Sequence, residues 1–351
     1  MIHRATMRSA SKVLLIAMAS AAAGVAPAMI GCMGEGTTCP PIVLTSDAAS
    51  DAHAGDGGDG GASVAAIAGL RLANFSPNAP LVDFCVAPRG TTAFRGPLLA
   101  ALAGALADAG TPVDASVPGL GFPQVSAYVI TKPGAYDARL VVAGAADCST
   151  GIVPDLTTLP VLGSGGFATV ALLGEAQPPS LELVGLVDDA TQSVPDGGSA
   201  KLYMRFLHAA PGQPAVDLEL DTTGKGPKPL FHAVPYGRAS SADASTPDAG
   251  LKVDTNGYLA TSALSHSTCS SINDVTCPQL SVVQTGQEES DGAAPLATGT
   301  IAAAAGAVIT VAFVGDSVPS DGGTGAPFAV LECVDNAATV GLFGSCSLLP
   351  P

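Results

Sequence analysis

The sequence predicts an all-β protein with two tandem β-sandwich domains, immunoglobulin-like or similar, and three observations support this. The 351 residues include 42 Gly and 28 Pro, a density of turn-forming residues typical of many short strands. The apolar segments alternate mostly with the period of two that half-buried strands show. Finally, the chain repeats itself once, and the repeat has the length of a domain rather than of a solenoid unit.

The duplication rests on three pairs of segments that occur in the same order along the chain. RLANFSPNAPLVDFCV (71–86) aligns without gaps with RFLHAAPGQPAVDLEL (205–220). Their identical positions are Arg71/Arg205, Pro77/Pro211, Pro80/Pro214, Val82/Val216 and Asp83/Asp217. GGFATVALLGE (165–175) matches GAVITVAFVGD (306–316), and GLVDD (185–189) matches ECVDN (332–336). We therefore predict a first repeat over 67–194 and a second over 199–351, with the boundary in the turn-rich PDGGS at 195–199.

Individual elements follow from the spacing of apolar residues. Val82, Phe84 and Val86 alternate with Asp83 and Cys85, which predicts a strand whose apolar face is buried. VSAYVI-TKPG-AYDARLVV (125–142) reads as a β-hairpin around a Lys-Pro-Gly turn. The apolar run 301–314 predicts a buried strand, and LLAALAGALA (98–107) predicts a short edge helix.

The first 31 residues have the three parts of an export signal. Arg4, Arg8 and Lys12 precede the apolar run 13–26, and small residues follow it. Gly24 and Pro27 interrupt the run, which disfavours a membrane-spanning helix.

Two cleavage sites are open at the end of this signal. Met29-Ile30-Gly31-Cys32 is similar to the lipobox of bacterial lipoproteins, which predicts lipidation of Cys32. Ala26-Pro27-Ala28 offers an ordinary signal-peptidase site, which would leave a periplasmic or secreted soluble protein. We favour the lipid anchor. Met33 stands where an Asp would retain a lipoprotein in the inner membrane, so the outer membrane or the cell surface is expected.

Residues 32–66 are predicted to be the anchor and a flexible tether. SDAASDAHAGDGGDGGAS (46–63) has almost no large apolar side chain that could offset its ordering entropy. The aspartates fit neither an EF-hand loop nor a calcium-binding nonapeptide repeat. A solvated spacer is therefore expected.

Charge excludes one class of partner. The chain carries 14 basic and 30 acidic residues, a formal net charge of −16. It lacks the cationic surface that neutralises phosphates, so nucleic acid is not expected as a partner.

Motifs for chemistry are missing from the sequence. There is no H-E-x-x-H, C-x-x-C, His pair at i,i+4 or G-x-S-x-G, so we predict no metal, no cofactor and no enzymatic activity. Asp83 and Asp217 match across the duplication and could be catalytic carboxylates, but capping of the preceding turn is preferred. His208, replaced by Asn74 in the first repeat, is expected to be a hydrogen-bonding residue of a turn.

Eight cysteines in an exported chain predict disulfides. The first expected pair is Cys85–Cys148, with Cys85 on the surface side of its strand. Cys269–Cys277 and Cys333–Cys346 each close a short loop. Cys32 and Cys39 can pair only if Cys32 is not lipidated.

NFSPNAPLVD and YVITKPGAYDARLVVAG in the first repeat, and HAAPGQPAVD in the second, resemble a bacterial family known as domain of unknown function 4397. Its hallmark is a strand near H-A-S-P-x-A-P-x-V-D, followed by a P-A-G-x-Y turn. The resemblance implies an exported, often lipid-anchored and often tandem protein without established activity.

The function expected from all of this is that of a cell-envelope lipoprotein with a non-enzymatic binding or structural role. Its partners would be the membrane, through the N-terminal lipid, and an envelope protein or polysaccharide. The alternative is a secreted or periplasmic hydrolase of unrecognised type, because catalytic groups need not be close in sequence.

Overall fold

A computed structural model describes residues 67–108, 119–176, 179–189, 201–222, 226–241, 253–262, 278–287, 294–303, 306–316, 326–335, 344 and 346–350. The predicted signal segment, Cys32, the tether, the boundary at 195–199 and the pair Cys269–Cys277 lie outside these residues. We call 67–189 the first half and 201–350 the second half.

The described part of the first half is built on strands, with one helix, α1 (Leu98–Asp108). The strands are β1 (Ala68–Asn74), β2 (Val82–Pro88), β3 (Gln124–Val125), β4 (Val129–Thr131), β5 (Tyr136–Val142), β6 (Phe167–Leu173) and β7 (Glu182–Val187). β1 and β6 run parallel, β7 joins β6 antiparallel, and β3 and β4 both pair antiparallel with β1. β2 and β5 form a separate antiparallel pair.

The second half repeats this plan with additional strands. They are β8 (Lys201–His208), β9 (Val216–Asp221), β10 (Lys228–Val234), β11 (Arg238–Ala239), β12 (Leu259–Ser262), β13 (Gln279–Gln284), β14 (Ala297–Thr300), β15 (Val308–Val314), β16 (Ala329–Val334) and β17 (Cys346–Leu348). β8 and β15 run parallel like β1 and β6, and β16 pairs with β15 as β7 does with β6. β11 and β12 pair with β8, while β17 extends the sheet beyond β16. β10, β9, β13 and β14 form the second sheet.

Each half has an apolar core of its own. In the first half, residues of β1 and β6 pack against residues of β2, β5 and α1, including Leu72, Phe84 and Leu99. In the second half, residues of β8 and β15 pack against β9, β10 and β13, including Phe206 and Phe231. The alternation along each strand explains this, since one face of β1 or β8 supplies the core of its own half.

A third apolar cluster joins the two halves. It is formed by the opposite faces of β1, β6 and β7 together with those of β8, β15 and β16. Its buried members are Ala73, Phe75, Val125, Ala171, Leu173, Leu186, Leu207, Ala209, Ala312, Val314, Leu331 and Cys333. Both halves accordingly belong to one compact unit. The sequence predicted a core for each repeat and gave no indication of this shared cluster.

The hairpin predicted over 125–142 is wrong. β4 pairs with β1, whereas β5 pairs with β2 in another sheet, so the Lys-Pro-Gly turn carries the chain from one sheet to the other. The crossing is fixed by Tyr136, whose hydroxyl donates to the Lys132 carbonyl at 2.6 Å and accepts from Thr131 Oγ1 at 3.0 Å. The alternation of apolar and polar residues indicates which face of a strand is buried, but it does not identify the strand with which it pairs.

The helix matches the sequence prediction closely, and the apolar run 301–314 matches it in part. Helix α1 covers the predicted segment and places Leu98, Leu99 and Leu102 in the first core. In the apolar run 301–314, the strand begins only at Val308, after Gly306 turns the chain with a φ of 83°. The part of the chain that the structure describes contains no helix with the length and hydrophobicity that a membrane crossing requires.

Candidate functional site

Four buried charged side chains meet where the two halves face each other. Arg71 lies in the middle of β1 and Arg205 at the matching position of β8. Asp188 and Asp335 follow directly after β7 and β16. All four residues are at most 3% exposed. Charged groups at this depth are tolerated only when they are paired and hydrogen-bonded.

The closest ion pairs cross between the halves. Arg71 Nη2 contacts Asp335 Oδ1, and Arg205 Nη2 lies 2.7 Å from Asp188 Oδ1. Within each half the distances are longer, 3.6 Å from Arg71 Nε to Asp188 Oδ2 and 3.8 Å from Arg205 Nη2 to Asp335 Oδ2. We call these four residues the charge ring, because positive and negative groups alternate around it and their charges cancel.

Backbone carbonyls complete the contacts of the two guanidinium groups across the boundary. Arg71 Nη1 donates to the Val334 carbonyl at 3.1 Å, and Arg205 Nη1 donates to the Val187 carbonyl at 2.5 Å. Each arginine thus binds both the last strand residue and the following aspartate of the opposite half. This forked geometry is available to arginine and not to lysine.

Two threonines bridge the charges within each half. Thr169 Oγ1 accepts from Arg71 Nε at 2.8 Å and donates to Asp188 Oδ2 at 2.5 Å. In the second half, Thr310 Oγ1 accepts from Arg205 Nε at 3.1 Å and donates to Asp335 Oδ2 at 2.6 Å. Both threonines lie at matching positions of the parallel neighbour strands β6 and β15.

Two tyrosines close the site. Tyr128 donates to Asp188 Oδ2 at 2.8 Å, and Tyr258 donates to Asp335 Oδ2 at 2.7 Å. The guanidinium carbons of Arg71 and Arg205 each lie 4.7 Å from the ring centroid of the tyrosine in their own half. These are cation–π contacts, which are strengthened by the exclusion of water.

The pKa values of the ring residues reflect a balance between burial and the opposite charges around each group. Burial alone would lower the pKa of Arg71, but Asp188 and Asp335 raise that pKa above its usual value. Burial raises the pKa of Asp188, yet Arg71 and Arg205 outweigh it and hold the pKa below its usual value. Burial also raises the pKa of Tyr128 and of Tyr258, so both keep their protons. Burial also raises the pKa of Asp335 above its usual value, although Arg71 and Arg205 oppose this shift.

The space beside the ring is small. A cavity of about 10 Å³ lies between the two sheets, lined by Arg71, Phe75, Thr169, Leu186, Arg205 and Thr310 among others. This volume accommodates about one water molecule. The ring is therefore suited to holding the two halves together and not to binding a substrate there.

Asp83 caps the N-terminus of helix α1. The sequence had favoured a different role, capping of the turn that precedes Asp83. Its Oδ1 accepts from the Leu99 amide at 2.8 Å, and its Oδ2 accepts from the Ala100 amide at 2.9 Å. These amides lie in the first turn of the helix, where backbone donors have no partner within the helix. The expectation of a structural aspartate fits, but the amides that it binds are 16 and 17 residues downstream, a separation that a sequence pattern does not reveal.

Asp217 has different partners, because β10 occupies in the second half the place that α1 takes after β2. Its Oδ1 accepts from the Ala233 amide at 2.6 Å and from Thr285 Oγ1 at 2.7 Å, and His232 Nδ1 lies 3.0 Å from its Oδ2. Ala233 has a φ of 53°, a left-handed conformation that is costly for a residue with a side chain. The buried carboxylate thus holds a bulge in β10.

His208 and Asn74 occupy matching positions at the ends of β8 and β1, and both bind the backbone. His208 Nε2 donates to the Pro214 carbonyl at 2.9 Å, within the turn that leads to β9. Burial lowers the pKa of His208, which keeps the imidazole neutral. Asn74 Nδ2 donates to the Leu120 carbonyl at 3.0 Å, and its Oδ1 accepts from the Ser76 amide.

Within the described ranges the cysteines form the disulfides Cys85–Cys148 and Cys333–Cys346. The expectation that Cys85 faces the surface is wrong, since it is fully buried in a small cluster with Val141, Cys148 and Phe94. Its counterpart in the second half, Glu219, is also buried. The reason is that the segments around Phe94 and Cys148 cover the outer face of β2.

Comparisons with known proteins bear mainly on the first half. A family model for the domain of unknown function DUF4397 matches residues 68–219. The matched range runs from β1 into β9 and includes Arg71, Asp188 and Arg205, while Asp335 lies beyond it. No curated protein matches the chain. The solved structure of the C-terminally truncated tip fimbrial protein Mfa3 from Porphyromonas gingivalis is 9% identical. That alignment covers 77% of this chain and 98% of that one with a TM-score of 0.17, a likeness too weak to carry an argument.

The sequence contained the signal for the charge ring, although its meaning was missed. Arg71/Arg205, Thr169/Thr310 and Asp188/Asp335 are identical pairs within the three repeated segments. The repeat identified them as matched, but nothing in one strand shows that its arginine meets an aspartate of the other half. Among the residues described, no cluster of three or more His, Cys, Asp or Glu could hold a metal ion.

Proposed function

We propose that this is an exported, lipid-anchored protein of the cell envelope with a non-enzymatic binding or structural role. In this proposal the two halves are duplicated β-sandwich repeats fixed to each other, and the tether carries them away from the membrane. The observation that carries the non-enzymatic role is how the repeated polar residues are used. Arg71, Thr169, Asp188 and their counterparts bind one another across or within the halves, and Asp83 and Asp217 bind the backbone.

The export part of the proposal rests on the N-terminal sequence and on the disulfides. Disulfides persist in oxidising compartments such as the periplasm and the cell surface, so Cys85–Cys148 and Cys333–Cys346 favour export. Labelling with a palmitate analogue in a bacterial host tests the anchor, with C32A as the unlabelled control. A mature chain that begins at Met29 and contains a Cys32–Cys39 bridge would contradict lipidation.

The binding role is tested with the purified soluble form, C32S/C39S, on arrays of envelope glycans and against fractionated envelope proteins. Saturable binding to one class, lost after reduction and unfolding, is the expected result. Absence of binding to every fraction would leave only the structural version, which predicts a changed envelope after deletion of the gene.

A hydrolase is the second candidate, and one observation favours it. Asp217 holds His232 through Nδ1, which directs Nε2 away from the carboxylate, and the His232 side chain is 36% exposed. A carboxylate orients the imidazole in this way in catalytic triads. Turnover of an ester, peptide or glycoside substrate that is abolished by H232A, with unchanged stability, would establish this alternative and contradict the non-enzymatic proposal.

A further inference from the structure

The contact between the two halves has the reciprocal form of a two-fold interface. Arg71 of the first half contacts Asp335 of the second half. Arg205, the counterpart of Arg71, contacts Asp188, the counterpart of Asp335. In a two-fold symmetric dimer, each contact from residue i to residue j is accompanied by one from j to i, because both partners use the same patch. Here both patches lie within one chain.

The apolar part of the contact follows the same rule. Matching positions in the two halves both lie in the shared cluster, and so the two faces are equivalent surfaces. The matched pairs are Ala73/Leu207, Phe75/Ala209, Ala171/Ala312, Leu173/Val314 and Leu186/Cys333. The matched positions are apolar in both halves, and the hydrogen bond of 2.8 Å from the Gly344 amide to the Val125 carbonyl is an additional contact outside this matched set.

Each half consequently carries a complete set of complementary groups. The first half supplies a donor fork in Arg71 and also the acceptors that such a fork requires, the Val187 carbonyl and Asp188. The second half supplies Arg205, the Val334 carbonyl and Asp335. Each face therefore contains both the donor and the acceptor of the contact. When two such faces meet around an approximate two-fold axis, the donor of each face meets the acceptor of the other, so a face of this kind is complementary to a copy of itself.

We propose that the contact face of each half fits a second copy of the same half, so that two chains can associate first half with first half and second half with second half. In such a pair, Arg71 of one copy contacts Asp188 of the other copy, and the reverse contact forms at the same time. The natural chain forms the contact internally because only the eleven residues 190–200 connect the halves. A short connection gives an effective concentration in the millimolar range.

Charge reversal in one half provides the decisive test. In R205D/D335R, the internal contact brings two arginines together at one corner of the ring and two aspartates at the other. An exchange of unlike halves between two chains produces the same repulsion. Only pairing of like halves restores opposite charges at every corner, so any specific dimer of this variant has that arrangement.

The measurement is the molar mass by light scattering during size exclusion, in a C32S/C39S background that prevents lipidation and bridging through Cys39. We expect the unreversed protein to elute with the mass of one chain and R205D/D335R with a two-fold greater mass. R71D/D188R, the mirror variant in the first half, is expected to dimerise in the same way. The fourfold variant R71D/D188R/R205D/D335R restores opposite charges within one chain and is expected to return to the mass of one chain.

The fourfold variant also serves as the control for folding. A dimer in either single-half reversal, together with a folded single-chain fourfold variant, supports self-complementarity. Single-chain mass, unfolding or undefined aggregation in both single-half reversals overturns it when the fourfold variant folds. If the fourfold variant does not fold either, charge complementarity does not determine the pairing, and the proposal is equally overturned.

Discussion

Arg71 and Asp335 are 264 residues apart in the sequence and form a buried ion pair between the two halves. The pair is not isolated, since Thr310 and Tyr258 also donate to Asp335 and Thr169 accepts from Arg71. Replacing a whole buried ion network by apolar residues can be neutral, but removing one member leaves an uncompensated charge. The consequences of the ring are therefore clearest in single substitutions.

Substitution of Arg71 by Leu is expected to lower the free energy of unfolding by about 3–5 kcal/mol, because Asp335 loses its closest cation in a buried site. Urea unfolding at neutral pH measures this loss. Arg139→Leu is the matched control, since Arg139 forms an ion pair with Asp155 at 2.7 Å that is partly exposed. An exposed pair contributes at most about 1 kcal/mol. Equal losses in the two variants would contradict the importance of the ring.

We expect the stability of the protein to depend on pH because of the partly buried carboxyl group of Glu332 in β16. Burial raises the pKa of its carboxyl to about 7, from 4.5 in an ordinary environment. The folded chain holds this proton more tightly than the unfolded chain, so the contribution to stability is complete below pH 4.5 and is lost as the pH rises to 7. The shift corresponds to about 3 kcal/mol.

Glu332→Gln removes the titrating group while keeping its shape. We expect the difference in unfolding free energy between the variant and the unsubstituted chain to grow by about 3 kcal/mol from pH 4.5 to pH 8. Urea unfolding at a series of pH values measures it. A difference that stays constant with pH would show that Glu332 ionises freely in the folded chain.

Several strands and the helix could be predicted because each follows from a local pattern. The alternation of apolar and polar residues in 82–88 and 136–142 indicated β2 and β5. The continuous run of apolar residues after Pro97 indicated α1. What the sequence could not supply is the partner of each element. Arg71 stands between Leu70 and Leu72 and reads as the exposed side of a half-buried strand, yet that side is covered by the other half. The charge ring depends on four segments that only the tertiary structure brings together.

The disulfides Cys85–Cys148 and Cys333–Cys346 are expected to differ in their contribution to stability. Cys85–Cys148 joins residues 63 apart in sequence and Cys333–Cys346 joins residues 13 apart. Constraint of the unfolded chain grows with loop length and corresponds to about 4 kcal/mol for the longer loop and about 3 kcal/mol for the shorter. Urea unfolding of C85A/C148A and C333A/C346A compares them. A larger loss in C333A/C346A would indicate that packing in the shared cluster outweighs chain entropy.

Asp83→Ala is expected to loosen α1 and to lower the unfolding free energy by about 1–2 kcal/mol, because the first-turn amides lose their acceptor. Hydrogen exchange of the segment containing Leu99 and Ala100 should become faster. Asp217→Ala is the control, since it removes the matching carboxylate of the second half. The partners of Asp217 are the Ala233 amide in β10 and the Thr285 hydroxyl, and neither belongs to α1. Faster exchange in α1 after Asp217→Ala would mean that the effect is global and not due to capping.

Gly174 and Gly315 follow β6 and β15 at matching positions, and both adopt backbone conformations that disfavour a side chain. Their φ angles are 91° and 108°, and an added Cβ would lie 2.2 Å from the Ser180 carbonyl oxygen or 2.4 Å from the Pro327 carbonyl oxygen. We expect Ala at either position to lower the unfolding free energy by about 1–3 kcal/mol. The two losses should be similar, because the same turn occurs in both halves.

Gly104→Ala is the matched control for these substitutions. Gly104 lies in α1, is exposed, and has open space where a Cβ would be placed. Alanine reduces the conformational entropy of the unfolded chain and favours the helix, so the unfolding free energy should rise by about 0.5–1 kcal/mol. Thermal and urea unfolding of the three variants test the signs together. A stabilising Gly174→Ala or Gly315→Ala would show that the turn relaxes to another conformation at no cost.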